Sequence, residues 1–103
     1  MSDPGQGGWI QQPDGLHFSG GVDFSNVVRL EQEAKLWLEH QVAEICALDL
    51  AKMERCNSAG GVLLLGMFRA AHQKNKKLLV RNPPDNLLSL MRLSSLDHLL
   101  TPT

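Results

Sequence analysis

Ile45-Cys46-Ala47-Leu48-Asp49-Leu50 continues through residues 51–56 into Asn57-Ser58-Ala59-Gly60-Gly61, and Val62-Leu63-Leu64-Leu65 follows directly. A mostly apolar run, a small polar turn and a strongly apolar segment therefore follow one another. We predict a buried strand, a turn and a helix, with the Ser58 hydroxyl exposed in the first turn of that helix. A hydroxyl there caps the helix, marks a partner-binding surface or accepts a phosphate. The local sequence leaves these three alternatives open.

Length and composition exclude several classes of protein. The chain has 103 residues, of which 43% are hydrophobic, so we expect a folded domain with one modest core. Ten basic and eleven acidic residues leave a net charge of −1, which argues against nucleic acid as the main partner. The N-terminus lacks the pattern of a signal peptide, and no apolar run is long enough to span a membrane. We therefore expect a cytoplasmic protein that does not insert into the membrane.

The two cysteines, Cys46 and Cys56, lack CxxC spacing and an accompanying pair of histidines. This pattern predicts reduced thiols rather than a zinc site, and we expect neither a metal nor a cofactor.

Turn residues and hydrophobic periodicity divide the chain into predicted elements. Residues 1–8 are expected to form a flexible N-terminus, and residues 9–103 a single domain. Gly20-Gly21 is expected to break the second strand. The predicted elements are a hairpin of Trp9–Gln12 and Leu16–Ser19 about a turn at Pro13-Asp14-Gly15, a helix from a Ser25 cap to about His40, a central strand Val42–Leu50, a helix from Ser58 to about Lys74, a strand Lys77–Val80, a helix capped by Asn82, and a short helical turn Leu96–Leu100.

This order predicts an α/β domain with a mixed sheet, in which strand, helix and strand form a right-handed parallel crossover. The first helix has one apolar stripe on its inner face and an expected ion pair between Glu31 and Lys35 on its outer face. The stripe comprises Val27, Leu30, Ala34, Trp37 and Leu38.

No sequence motif indicates catalysis. The four histidines, His17, His40, His72 and His98, are scattered, and none has a carboxylate or nucleophile at a recognised spacing. Ser58 lacks the preceding glycine of a G-x-S-x-G elbow. Gly60-Gly61 belongs to no phosphate-binding motif, so we interpret it as a close-packing site. We predict that the protein is not an enzyme.

The second helix is apolar around most of its circumference, from Val62 to Ala71. A helix that covers one face of a small sheet needs only one apolar stripe. The additional apolar surface is either buried by the neighbouring helices or contacts a partner, and the sequence favours neither alternative.

Five segments of the chain together resemble the STAS domain: Asn57–Leu65, Ala70-Ala71, Lys76–Leu78, Asn82–Pro84 and Leu90–Asp97. Family members carry D-[ST]-[AS]-G-L at the turn, then an apolar helix, a basic link into a strand and a tail with Leu-Asp. The resemblance covers Trp9 to Leu100. It implies a small mixed sheet with helices packed mainly on one face, as in anti-sigma factor antagonists, and a non-catalytic interaction module.

Two branches of the family fit a chain of this length. In anti-anti-sigma factors, a serine at the turn is phosphorylated by a partner kinase, and the added charge expels the complex partner. In the cytosolic STAS subunit of the Mla phospholipid-transport ABC complex, which serves outer-membrane lipid asymmetry, the turn and its helix dock on the ATPase. Ala59 after Ser58 and Trp37 late in the first helix resemble the transporter branch. Asn57 replaces the usual Asp, which removes a carboxylate beside Ser58.

The resemblance therefore implies an ABC-type ATPase as partner, with the protein peripheral to the inner membrane through it. A serine kinase or anti-sigma factor, with Ser58 as phosphoacceptor, is the alternative, and a small-ligand pocket beside the turn is a third class. The expected partner-binding residues are Asn57, Ser58, Ala59, Gly60 and Gly61, with Leu63, Met67 and Ala70 expected to point outward from the helix and with Asp23 and Ser25 at the border of the same surface.

Overall fold

The computed structural model describes residues 7–93, apart from the side chain of Arg55. Most of the expected flexible segment 1–8, and all of the expected short helix Leu96–Leu100, fall outside these residues. Gly7 is buried and Gly8 already belongs to the first strand.

Seven elements follow one another in the predicted order. They are β1 (Gly8–Gln12), β2 (Gly15–Val22), α1 (Val27–Glu39), β3 (Ile45–Cys56), α2 (Ser58–Gln73), β4 (Lys77–Arg81) and α3 (Asp85–Leu93). The strands form one sheet in the order β1-β2-β3-β4, with β1 and β2 antiparallel and both β2–β3 and β3–β4 parallel. The predicted mixed sheet and parallel crossover are confirmed.

One face of the sheet is buried and the other is more open. Because side chains alternate along a strand, Leu16 and Phe18 of β2 point to the same face as Leu48 of β3 and Val80 of β4, and all four are buried. The residues next to them on the opposite face, such as His17 and Asp49, are only partly buried. The helices therefore cover mainly one face, as predicted.

The predicted inner stripe of α1 is confirmed, since all five of its residues are buried. Glu31 and Lys35 form the expected ion pair, at 3.3 Å. The indole Nε1 of Trp9 donates to the carbonyl of Leu30 at 2.9 Å and so joins β1 to the helix.

The predicted cap of α1 is wrong by one residue. Asn26, not Ser25, precedes the helix and is buried. Its side chain accepts a hydrogen bond from the Asp23 backbone N–H and donates to the Gly21 carbonyl, each at 3.0 Å. Ser25 is exposed and bonds to the Asp23 carboxylate instead. The position before the helix is therefore occupied by Asn26, whose buried side chain joins the end of β2 to the start of α1.

Gly20-Gly21 does not break β2, which continues to Val22. Gly20 has a φ of +96°, which glycine adopts without strain, and the β2–β3 register shifts between Gly20 and Gly21. The glycines therefore lie at an irregularity in the ladder rather than at the end of the strand.

The central strand begins later and ends later than predicted. Val42 lies in the preceding loop with 98% of its surface exposed, and β3 runs from Ile45 to Cys56. Beyond the apolar run, Met53 is buried whereas Lys52 and Glu54 on either side are exposed. This alternation is typical of a strand with one covered face, and it extends β3 past Leu50.

Asn82 does not cap α3. The helix begins at Asp85, and the Pro84 carbonyl accepts the first helical hydrogen bond, from Leu88, at 3.0 Å. A residue that precedes proline is disfavoured from helical geometry, so Pro83 cannot start the helix. Asn82 has a φ of +54° and lies in the link after β4.

Candidate functional site

The carboxyl ends of β2 and β3 lie side by side, because the two strands are parallel and Val22 pairs with Cys56. Each strand leads into the start of a helix, so the starts of α1 and α2 lie at the same end of the sheet. A cleft of about 270 Å³ opens there, lined by Gly21, Val22, Asp23, Cys56 and Asn57. The structure therefore brings Asp23 next to the Asn57 turn, as predicted from sequence, and their binding role stays a prediction.

Asn57 caps α2. Its side-chain oxygen accepts a hydrogen bond from the Ala59 backbone N–H at 2.8 Å, and its carbonyl accepts from Gly60 at 2.9 Å. Ser58 is the first helical residue and is exposed. Its hydroxyl makes no hydrogen bond with any other residue among 7–93, so capping is excluded as its role. Partner binding and phosphate acceptance remain.

The turn is packed tightly from beneath. A Cβ on Gly60 would lie 2.0 Å from the Cys56 sulfur and 3.5 Å from Leu87 of α3, whereas a Cβ on Gly61 would meet nothing within 4 Å. Asn86 of α3 donates to the Cys56 carbonyl. Close packing therefore requires glycine at position 60, as interpreted from the sequence, but not at position 61.

Neither cysteine is activated as a nucleophile. Both are free, and burial raises the pKa of each thiol above its ordinary value. The nearby Lys76 charge partly opposes this shift at Cys46, and a hydrogen bond from the Gly60 backbone does so at Cys56. Reactive cysteines are thiolates with a lowered pKa, so these two have the character of packing residues.

The prediction that Leu63, Met67 and Ala70 point outward is wrong. All three are buried, and Ala59 and Gly60 are buried with them. Their helical spacing places them on the stripe that covers the sheet and its neighbouring helices. The neighbours therefore account for most of the apolar surface of α2.

The outer face of α2 carries Ser58, Gly61, Val62, Leu65 and Arg69. Val62 is 51% exposed, and Gly61 and Leu65 are partly exposed. Polar Ser58 and Arg69 lie at helical spacing with Val62 and mark this solvent-facing side. This pattern is visible in the sequence, and it indicates that Val62 rather than Leu63 points outward.

Helices α1 and α2 run parallel and level with each other. A Cβ on Gly66 would collide with the Glu31 carboxylate, and Lys74 pairs with Glu39 at 3.6 Å. Both contacts join residues 35 positions apart in the chain. The same offset places Val62 level with Val27.

Val28 lies on the same stripe of α1 as Glu31, near the level of Val62, and Phe24 lies in the turn that precedes the helix. Their surfaces are 64% and 65% exposed. We call Phe24, Val28 and Val62 the apolar patch. The patch lies at the starts of the two helices, as the polar turn does, and its Phe24 and Val28 part was not predicted from the sequence.

A second polar cluster lies on the open face of the sheet. Asp14, His17 and Asp49 place their ligand atoms within 4.8 Å of one another. His17 bonds to Asp14 at 2.9 Å and thereby lowers the pKa of the Asp14 carboxyl. Arg81 lies 3.7 Å from Asp14, and Asn82 donates to Asp49 at 3.3 Å.

This cluster was not predicted from the sequence. Asp14 and His17 are close along the chain, whereas Asp49 reaches them through the β2–β3 register. The carboxylates are already bonded within the cluster, and the Arg81 charge beside them disfavours a cation.

No helix within residues 7–93 combines the length and the apolar character needed to cross a lipid bilayer.

A family model described as "Mlab, STAS domain" matches residues 9–101 of the chain. A comparison with curated protein sequences gives no significant match.

Among solved structures, the anti-sigma factor antagonist SpoIIAA in its unphosphorylated form is similar, with a TM-score of 0.71, 13% identity, and coverage of 95% of this chain and 88% of that chain. The Bacillus cell fate determinant SpoIIAA in the phosphorylated form has a TM-score of 0.67 and 13% identity, with coverage of 95% and 91%. An anti-sigma factor antagonist from Mycobacterium paratuberculosis has a TM-score of 0.67 and 24% identity, with coverage of 100% and 92%. At these identities the likeness shows the fold alone.

The family model spans nearly the whole chain, and the three solved structures share the fold of this chain. Domains of this kind are generally non-catalytic and interact with partner proteins. The chain therefore belongs to the STAS-domain family.

Proposed function

We propose that this protein is a non-catalytic STAS subunit that binds the ATPase of a Mla-type ABC phospholipid-transport complex and supports its assembly and activity. It lies in the cytoplasm and is held at the inner membrane by this partner. The description of the matching family model carries the proposal, because it names the Mla branch over residues 9–101. Ala59 after Ser58 agrees with that branch.

The docking surface combines the apolar patch with the polar turn. Phe24, Val28 and Val62 offer exposed apolar area, and Asn57 and Ser58 border it. Association gains most of its free energy where apolar side chains leave water, while polar groups at the rim set orientation. The Asn57 side-chain oxygen already caps α2, whereas the Ser58 hydroxyl forms no hydrogen bond within residues 7–93 and is available to a partner.

The turn is also closely packed, which supports a constant interface. Gly60 packs against Cys56, and α3 contacts the turn through Asn86 and Leu87. A preformed surface loses little conformational entropy on binding. In this role the protein stabilises an assembly-competent ATPase without contacting ATP or lipid.

The test is an affinity pull-down of tagged protein from its own host cells, with partners identified by mass spectrometry. We expect the wild type to recover an ABC ATPase with its permease. Val62→Asp places a charge within the apolar patch and should abolish that recovery. Val42→Asp is the matched control, because Val42 is exposed in the loop before β3, far along the strand from the turn. Recovery of the ATPase by Val62→Asp as well as by wild type would overturn the docking surface.

A second candidate function is an anti-sigma factor antagonist. Two of the solved structures with similar folds bear that description, and the third is named as phosphorylated. Ser58 is exposed, and its hydroxyl is unbonded among residues 7–93. This function predicts recovery of a serine kinase in the same pull-down and a phosphate on Ser58 by mass spectrometry. Ser58→Ala would then retain the unphosphorylated binding state permanently, whereas a docking subunit would at most bind more weakly.

A further inference from the structure

We call the surface along which α1 and α2 lie side by side the groove, and its two ends differ chemically. The apolar patch lies at the helix starts. At the other end is a cavity of about 310 Å³, lined by charged residues of both helices, among them Glu31, Lys35, Glu39, Arg69 and Lys74.

Most of these charges are already paired. Lys35 bonds to Glu31 at 3.3 Å, and Lys74 bonds to Glu39 at 3.6 Å. Arg69 is exposed and forms no ion pair with any residue in the described part of the chain, 7–93. The charged end therefore has one surplus positive group, and a partner carboxylate would complement it.

The two ends are separated by a defined distance. Val62 and Arg69 lie seven residues apart on α2, so their levels differ by about 10 Å along the helix axis. A helical segment that follows the groove covers the same distance in about seven residues, or two turns.

We propose that the groove receives a helix of the partner ATPase, with apolar residues against Phe24, Val28 and Val62 and an Asp or Glu about two turns away against Arg69. This inference rests on the proposed function and adds the chemistry of the partner segment. Exposed apolar side chains at one end and the surplus Arg69 charge at the other favour a helix that is apolar at one end and acidic at the other.

The test measures the affinity of the purified protein for the recovered ATPase by biolayer interferometry, at 50 and 300 mM NaCl. Arg69→Glu should weaken binding about tenfold at low salt and less at high salt, because salt screens an exposed ion pair. Arg92→Glu is the matched control, since Arg92 is an exposed arginine on α3 and undergoes the same charge change. It should bind as the wild type does.

Three results would overturn the inference. Equal affinities of Arg69→Glu and Arg92→Glu at both salt concentrations would exclude a carboxylate at Arg69. The ion pair would be excluded if no change of an Asp or Glu to Lys in the ATPase helices restores binding of the Arg69→Glu variant. If the wild type self-associates and Arg69→Glu abolishes this self-association, the groove binds a second copy of this chain.

The same two variants distinguish a failure of this inference from a failure of the proposed function. If Val62→Asp abolishes binding while Arg69→Glu does not change it, the docking surface stands and only the acidic helix is wrong. If Val62→Asp binds as tightly as wild type, the docking surface itself is wrong. Circular dichroism melting of each variant confirms that it remains folded.

Discussion

At the residue scale, the function of the turn depends on which side chain caps α2. Asn57 provides the acceptor for the Ala59 backbone N–H, so the Ser58 hydroxyl, one residue later, is not used in the fold. An Asp at position 57, the usual family residue, would provide the same acceptor with a negative charge. The Asn therefore keeps the cap and removes the charge beside Ser58.

The two adjacent glycines of the turn should respond oppositely to alanine. In Gly60→Ala the new methyl would overlap the Cys56 sulfur, so we expect a loss of about 1–3 kcal/mol in the free energy of unfolding. Gly61→Ala meets open space inside a helix and should stabilise the protein by up to about 1 kcal/mol. Urea unfolding followed by circular dichroism measures both.

The source of the Gly60 effect can be checked directly. Cys56→Ala removes the sulfur, so the double variant with Gly60→Ala should lose less stability than the two single losses added together. Equal effects of alanine at positions 60 and 61 would contradict the assigned packing.

The His17–Asp14 bond predicts a pH dependence on the acid side. The hydrogen bond from His17 is the largest cause that lowers the pKa of Asp14 below its ordinary 3.8, and Arg81 contributes less. A carboxyl whose pKa is lowered by folding stabilises the protein above the unfolded pKa, and this stabilisation is lost as the pH falls through the folded pKa. The loss should therefore occur below about pH 4.

Carboxyl NMR titration between pH 2 and 6 measures this pKa. We expect it to rise toward the ordinary value in His17→Ala and to rise less in Arg81→Ala. An unchanged titration of Asp14 in His17→Ala would show that the bond is absent in solution.

At the element scale, α2 shows how far the sequence determined the site. The predicted start at Ser58 is confirmed, and the predicted end is within one residue, because cap and apolar run are local signals. The orientation of the helix was wrong because its apolar residues occupy most of the circumference. Which stripe faces the sheet depends on tertiary packing.

Alanine substitutions on the two faces of α2 test this orientation. Leu63→Ala leaves a cavity in the core and should cost about 2–5 kcal/mol in the free energy of unfolding. Val62→Ala removes exposed methyl groups and should change stability by no more than about 0.5 kcal/mol. Chemical denaturation measures the two values, and a larger loss for Val62→Ala would reverse the orientation.

The strands show a second limit of sequence reasoning. Gly20-Gly21 resembles a strand break, yet β3 has one extra residue opposite this step of β2, and the glycines lie at that register shift. Only the partner strand reveals this. The continuation of β3 to Cys56 was visible in the alternation around Met53, but the apolar run ends earlier and suggested an earlier end.

At the scale of the whole molecule, topology assembles the site. Parallel pairing of β2 with β3 brings Asp23 to Asn57 across 34 positions of sequence, and the level alignment of α1 with α2 brings Phe24 and Val28 toward Val62. The resemblance to the family predicted the fold and the turn. The α1 half of the surface requires the packed structure, because no local pattern links it to α2.

We propose that the apolar patch near the Ser58 turn binds an ABC ATPase. The most direct measurement is photo-crosslinking in host cells, with a photoreactive amino acid at position 62 and, separately, at position 42 as the control. We predict that position 62 crosslinks to the ATPase and position 42 does not. Crosslinking to the ATPase from position 42 alone, or to a serine kinase from position 62, would contradict the proposed docking surface.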